Sequence, residues 1–248
     1  YGVHSMTWGG TYQGAPMDSV SIVHLAAPEM DVQGLGQSIL DGDSTPSSAD
    51  DTDFGNSNLV SGTAVHTFTI KNTGDFDLNL TGVPKVEISG THAADFTVTS
   101  LPSSPVGAGG ATTFEITFDP SVLGPRIAEV SIANDDFAEN PYNFAVQGTG
   151  VAPEIDLQGG GQSIEDGDNT PSNADDTDFG DADVDSGTIA HTFTIENIGL
   201  VELKLTASAA EPKVEISGTH AEDFTVTNQP SSPVAAGSAT TFEITFDP

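Results

Sequence analysis

The feature that most constrains the fold is a long internal repeat. The stretch "APEMDVQGLGQSILDGDSTPSSADDTDFG" begins at residue 27 and returns at residue 152 as "APEIDLQGGGQSIEDGDNTPSNADDTDFG". The offset is 125 residues, and it becomes 128 after an insertion near "ASAAEP". A unit of this length matches one β-sandwich domain and exceeds a solenoid repeat. The repeat predicts one complete domain over 28–152 and a second copy over 153–248.

Within each copy the apolar residues recur at every second position. In "TTFEITFDP" (112–120), Phe114, Ile116 and Phe118 share one face, while the residues between them are polar. Gly, Asn, Asp and Pro separate such segments, and no segment has helical periodicity. The pattern predicts an all-β protein of tandem immunoglobulin-like antiparallel β-sandwiches.

The two copies differ in how far they continue. The first copy has two further predicted strands, 126–134 and 142–149, whereas the second stops at Pro248 and lacks counterparts of both. Residues 1–27 are predicted to be the terminal strands of a preceding domain or a donated strand, with 18–25 in the place of a final strand. Two explanations stay open: an excerpt of a longer tandem chain, or a head-to-tail polymer completed by strand donation between neighbours.

The charge balance excludes several classes of partner. The 248 residues carry 37 acidic and five basic side chains, a formal net charge of -32. Nucleic acids and anionic membranes both need Lys and Arg, so neither is expected as a partner, and no apolar run is long enough for membrane insertion. The absence of cysteine excludes disulfides and thiolate metal sites. Because the acids cluster in loops between alternating segments, disorder of the whole chain is not expected.

The order of several short motifs carries a family resemblance. "TFTIKNTG", "VEISG", "DFTV", "TTFEITFDPS" and "FAVQGTG" follow one another from residue 67 to residue 150. This order resembles the bacterial choice-of-anchor D repeat, which is similar to the immunoglobulin-like domains of the ASPM, SPD-2 and Hydin proteins. The resemblance implies a tandem sandwich in a large secreted or surface-attached protein, with no catalytic role.

The acidic loops are candidate calcium sites. Five aspartates in 41–55 recur with identical spacing in 166–180, and Ca²⁺ takes six to eight oxygen ligands of the kinds such loops supply. The connection "NDDFAENPY" (134–142) adds further carboxylates, and the start of the first strand with Asp31 is expected at the same end of the sandwich. The predicted metal ligands are Asp41, Asp43, Asp50, Asp51, Asp53, Asp166, Asp168, Asp175, Asp176, Asp178, Asp135, Asp136 and Glu139.

A solvated acidic loop is the alternative to a calcium site. The spacing is not that of an EF-hand, because Thr52 stands where the bidentate Glu would be required. No short-spaced set of histidines suggests zinc, and no nucleophile elbow, phosphate loop or HExxH helix is present.

The sequence therefore predicts a non-enzymatic structural or adhesive repeat protein, extracellular or on the bacterial cell surface and stiffened by Ca²⁺. The expected partners are other copies, adjacent domains, or ligands of the cell surface or matrix. The alternative is a ligand-binding or glycan-binding module, or a spacer of a larger secreted enzyme. Trp8 and Tyr12 are the residues that would stack on a sugar.

Overall fold

The structure is a computed structural model that describes residues 11–12, 15–16, 26–206 and 212–248. The chain divides into two compact units, Tyr1–Gly150 and Val151–Pro248. Trp8 and the predicted strand 18–25 lie outside the described residues, so the assignment of 1–27 stays a prediction. Before the first sandwich, β1 (Thr11–Tyr12) pairs with β2 (Ala15–Pro16).

The first unit is a sandwich of two sheets. One sheet has the order β4-β3-β6-β9-β8 and the other the order β5-β11-β10-β7. The strands are β3 (Met30–Gly34), β4 (Gln37–Ile39), β5 (Asp53–Asn58), β6 (Ala64–Asn72), β7 (Glu87–Ser89), β8 (Phe96–Ser100), β9 (Ala111–Phe118), β10 (Gly124–Ile132) and β11 (Tyr142–Val151). A 3-10 turn, Ala93–Asp95, precedes β8. The neighbours β3-β6-β9-β8 and β7-β10-β11 reproduce the two sheets of an immunoglobulin-like domain.

Alternation along the strands builds the core of this sandwich. Phe68 on β6, Phe114 on β9 and Phe144 on β11 are almost completely buried. The Phe68 ring lies 5.3 Å from that of Phe114 in its own sheet and 5.7 Å from that of Phe144 in the opposite sheet. The aromatic contacts therefore join the two sheets as well as neighbouring strands.

In the second unit, the described residues 151–206 and 212–248 form one sheet, which repeats the first of these sheets. Its order is β13-β12-β14-β16-β15. The strands are β12 (Ile155–Gly159), β13 (Gln162–Ser163), β14 (Ile189–Asn197), β15 (Phe224–Asn228) and β16 (Ala239–Phe246), with a 3-10 turn at Ala221–Asp223. The counterparts of β5 and β7, residues 178–183 and 215–217, are not strands, and the described part of this unit contains no counterpart of β10 or β11.

The hydrophobic core of the second unit is smaller than that of the first. In its hydrophobic cluster Phe193, Ile195 and Phe242 are buried, while seven further apolar residues are only partly buried. In the first unit the buried cluster contains twenty residues. Within the described residues, the inner face of the sheet in the second unit is therefore only partly buried. The predicted all-β class is confirmed, and no helix among the described residues has the length and apolar character to cross a membrane.

Candidate functional site

Three segments meet at one end of the first sandwich, which we call the proximal end. They are Glu29 with the start of β3, the connection 133–141 between β10 and β11, and Asp41 at the start of the acidic loop. The Met30 amide donates to Oδ2 of Asp136 at 2.9 Å, and the Asn143 amide donates to Oδ1 of Asp41 at 2.8 Å. β11 begins at the proximal end with Tyr142. At about 3.3 Å per residue, the strand ends at Val151, roughly 30 Å from this end.

A group of three carboxylates occupies the proximal end. Glu29, Asp136 and Glu139 each offer an oxygen, and these oxygens lie within 4.8 Å of one another. Asp136 is 3% exposed, and its Oδ1 also accepts from the Ala138 amide at 3.0 Å. Two backbone amides therefore hold this buried carboxylate in place.

Glu139 is the unsatisfied member of the group. Its Oε2 is shielded from solvent and has no hydrogen-bond partner among the described residues. A buried carboxylate oxygen without a partner destabilises the fold, because it has lost its hydrogen bonds to water and no protein donor replaces them. Such an atom in a native fold calls for a proton or a cation.

The electrostatics of Glu139 point in the same direction. Burial, followed by the nearby charges of Asp136, Glu29, Asp41 and Asp31, raises the pKa of Glu139 to about 7. Burial and the same acidic surroundings raise the pKa of Tyr142 to about 12. A bound cation would offset the cost of ionising Glu139, because a cation favours the ionised form of its ligands.

The acidic loop itself is organised by turns. Oδ1 of Asp43 accepts from the Thr45 hydroxyl at 2.6 Å, and Oδ1 of Asp50 accepts from the Thr52 hydroxyl at 2.6 Å. Oδ1 of Asp53 accepts from the Gly55 amide at 2.9 Å. Aspartates that bond the backbone or hydroxyl two residues ahead form Asx turns. The repeated spacing of the aspartates is thus the spacing of three turns.

The second loop has the same turns. Asp168 accepts from Thr170 and Asp175 from Thr177, each at 2.6 Å, and Asp178 accepts from the Gly180 amide at 2.9 Å. The hydrogen bonds from Thr170 lower the pKa of the exposed Asp168 carboxyl. Hydrogen bonds from the loop therefore stabilise the Asp168 carboxylate as an anion.

The first loop is seated against the start of the sandwich. The carbonyl of Asp51, a residue at φ 63°, lies 2.7 Å from Nδ1 of His66, whose ring stacks on Phe54 at 4.1 Å. A Cβ on Gly34 would collide with the Asp50 carbonyl, so only glycine lets the loop lie this close to β3. His191 and the Asp176 carbonyl repeat the contact at 2.7 Å.

The structure brings together only some of the predicted ligands. Asp136 and Glu139 join Glu29, and Asp41 lies close enough to raise the pKa of Glu139. Asp135 instead accepts from the backbone and side-chain amides of Asn79, both at 2.7 Å. The remaining predicted ligands are not part of the three-carboxylate group: Asp43, Asp50, Asp51, Asp53, Asp166, Asp168, Asp175, Asp176 and Asp178.

Sequence reasoning missed Glu29. The prediction named Asp31, at the start of the first strand, whereas Glu29 stands one residue before β3, where the chain reaches the proximal end. Its counterpart Glu154 is retained in the repeat, and that retention is the signal that identifies it. The segment 134–142 has no counterpart within the 248 residues.

Two clefts lie on the described residues of the second unit. One is a cleft of about 300 Å³ beside Phe179, Ile216 and Phe224. A wider cleft of about 640 Å³ lies beside Ile155, Leu157 and Ile164. In the wider cleft, the counterparts of Ile155, Leu157 and Ile164 are buried in the core of the first unit. The other side chains beside this cleft are mostly acidic: Glu154, Asp156, Glu165, Asp166 and Asp168.

The fold and the sheet order define an immunoglobulin-like module. Residues 47–149 match the family described as HYDIN/CFA65/VesB-like, Ig-like domain. The first sandwich is accordingly an immunoglobulin-like domain similar to that of Hydin, and the predicted resemblance is confirmed.

Solved structures with low identity were also found. PapD-like domain 7 of human CEP192 is 15% identical, with a TM-score of 0.33, and the match covers 55% of this chain and 100% of that one. The Vibrio cholerae VesB protease is 16% identical over 40% of this chain and 30% of its own, with a TM-score of 0.28. The secreted serine protease VesC from Vibrio cholerae is 10% identical over 78% of this chain and 44% of its own, with a TM-score of 0.33. No curated protein matches the sequence.

Proposed function

We propose that the chain is a non-catalytic, extracellular structural repeat protein whose first sandwich is braced by Ca²⁺ at the proximal end. The ligands are Glu29, Asp136 and Glu139. The observation that carries the proposal is the solvent-shielded Oε2 of Glu139, which lies among carboxylates without a hydrogen-bond partner in the described chain.

The chemistry of the group favours a hard divalent cation. All three ligands are carboxylates, and the chain has no cysteine and places no histidine in the group. Ca²⁺ accepts such oxygen ligands in flexible geometry, and extracellular calcium modules bind it at about 10⁻⁴–10⁻³ M. An ion there joins the start of β3 to the β10–β11 connection and stiffens the end at which the chain enters the sandwich.

A second role is that of a spacer or adhesive repeat. The observation that favours it is the tandem occurrence of the same sequence unit, which returns after 125 residues.

Calcium titration tests the proposed brace. Isothermal titration of the full chain with Ca²⁺ should show a site that Glu139→Gln removes and that Glu29→Gln weakens. Glu154→Gln is the matched control, because this residue has no Asp136 or Glu139 counterpart within the chain. Absence of binding heat and of a melting shift with EGTA would end the calcium proposal.

A further inference from the structure

A histidine attaches the connection between β7 and β8 of the first unit to β10. The His92 amide donates to the Ile127 carbonyl at 3.2 Å, and the Ile127 amide donates to Nδ1 of His92 at 3.0 Å. We call these two bonds the His92 contact. The β7–β10 ladder ends at the pair Ser89–Glu129, so the contact lies two residues further along β10. The imidazole ring therefore accepts where the backbone carbonyl of a longer β7 would accept.

The donor fixes the protonation state of the His92 ring. A backbone amide can only donate, so Nδ1 carries a lone pair, and the proton of the neutral ring is on Nε2. Protonation would place a second N–H on the ring at Nδ1, facing the N–H of Ile127. The bond from Ile127 is therefore present with the neutral ring and absent with the charged ring.

His66 in the same unit has the opposite arrangement. Its Nδ1 lies 2.7 Å from the Asp51 carbonyl, which can only accept, so this nitrogen carries the proton. Protonation of His66 adds an N–H at Nε2 and keeps the bond. The Asp51 carboxylate, 3.8 Å from the same nitrogen, has the sign that pairs with a charged ring. Of these two histidines, only His92 loses a contact when it is protonated.

A charge on His92 would have no ion-pair partner among the described residues, because no carboxylate lies at ion-pair distance from its ring. β8 carries no titratable side chain. The charged groups on the other elements around the turn are Glu87 on β7, Arg126 and Glu129 on β10, Asp119 after β9, and Asp95 in the turn itself.

A second link holds the same turn at mildly acidic pH. Arg126 and Asp95 form an ion pair between β10 and the turn. Burial raises the pKa of Asp95, but hydrogen bonds from Ser121 and Arg126 outweigh it, so the pKa lies below its usual value. The pair is therefore intact at about pH 5 to 8, where histidine side chains ordinarily change charge. Loss of the His92 contact loosens the connection without releasing the turn.

We propose that the His92 contact is a pH-sensitive switch in the β7–β8 connection. The contact is complete while the ring is neutral, and protonation of Nδ1 breaks the bond from the Ile127 amide. β7 is the edge strand of its sheet and pairs with β10 over three residues, Glu87–Ser89. Breaking the bond therefore leaves the Ile127 amide unpaired at the sheet edge.

Hydrogen exchange of the full chain, resolved by NMR, tests the switch at single amides. Between about pH 7.5 and about pH 5, the range in which histidine changes charge, protection of the Ile127 amide should fall about tenfold. Protection is corrected for the intrinsic pH dependence of exchange, and amides of β9 should keep theirs. EGTA is present throughout, and a second series in Glu139→Gln removes the titration of Glu139 from the same range.

Two variants separate the ring from the rest of the turn. His92→Asn keeps an acceptor oxygen at the position of Nδ1 and cannot be protonated, so protection of Ile127 should not fall with pH. His66→Asn, at the histidine with the opposite arrangement, is the matched control and should show the same fall as the parent protein. The ring ¹⁵N resonances of His92 at neutral pH should show Nδ1 without a proton.

Each contrary result has a distinct meaning. Equal protection of Ile127 at both pH values in the parent protein would overturn the switch. A fall that persists in His92→Asn would assign the pH dependence to another group. Loss of protection in β9 as well would mean that acid unfolds the whole sandwich instead of one contact. A proton on Nδ1 of His92 at neutral pH would contradict the contact itself.

Discussion

Arg126 on β10 and Asp95 in the turn before β8 form an ion pair, Nε to Oδ2 at 2.5 Å, that joins the two sheets of the first sandwich. The side chains are 16% and 2% exposed. Burial raises the pKa of Asp95, but hydrogen bonds from Ser121 and Arg126 outweigh it and hold the pKa below its usual value. Each charged group of the pair thus has an oppositely charged partner. Removing either side chain would leave the other as a buried, unpaired charge.

We expect Arg126→Met to destabilise the first unit by about 2–4 kcal/mol, because it leaves the Asp95 carboxylate unpaired. Hydrogen exchange of β9 and β10 in the full chain measures the loss. Since the pKa of Asp95 is lower in the folded state, its contribution is present above the unfolded pKa near 3.8 and is lost as pH falls through the folded value. Arg126→Met should remove this acid dependence, and Lys85→Met, at an amine that bonds the Pro102 carbonyl, is the control.

Glu139 has the opposite pH dependence. Its folded pKa of about 7 exceeds its ordinary value of 4.5, so its contribution to stability is fully present below pH 4.5 and is lost as pH rises through 7. Without calcium, Glu139→Gln should therefore be more stable than the parent above pH 7 by on the order of 2 kcal/mol. The two should converge near pH 4.5.

Calcium should invert this comparison. Above pH 7 the ion stabilises the parent protein and leaves Glu139→Gln unchanged, which urea unfolding with calcium or EGTA would detect. If the stability of the parent protein above pH 7 depended on neither pH nor calcium, that result would contradict the proposed calcium site.

The all-β fold could be predicted because apolar and polar residues alternate in segments such as 112–120. This pattern fits a strand that packs one face against another sheet and so buries every second residue. Asp136 and Glu139 were predictable as well, since a sandwich places the β10–β11 connection beside the start of its first strand. Asp95 and Arg126 were not, because 31 residues separate them and only the final register of β10 brings them together.

In the acidic loop, the number of aspartates alone does not identify metal ligands. A cluster of aspartates suggested ligands, but "DST", "DDT" and "DFG" are also Asx-turn sequences, in which the third residue bonds the first. The sequence carried that local signal in both copies. It could not reveal which of the aspartates also approach 133–141, because that depends on tertiary packing.

The turns lead to a test that separates capping from calcium binding. Asp50→Ala should cost about 1 kcal/mol of unfolding free energy, because the hydroxyl of Thr52, which is 1% exposed, loses its acceptor at 2.6 Å and keeps only the Ser47 carbonyl at 3.4 Å. Asp50→Asn keeps an acceptor oxygen and should retain most of the stability. Calcium titration of both should match the parent protein, and a lost site in Asp50→Asn would place an ion in the loop instead.

Gly148 tests the packing that the hairpin of the first unit requires. A side chain there meets the Phe118 ring, which is fully buried between the sheets, so Gly148→Val should destabilise the first unit by about 1–3 kcal/mol. Gly107→Ala is the control, because its Cβ would come no closer than 3.8 Å to Asp77. Hydrogen exchange of β11 reports the effect, and equal protection in the two variants would mean that β11 does not need to approach Phe118 this closely.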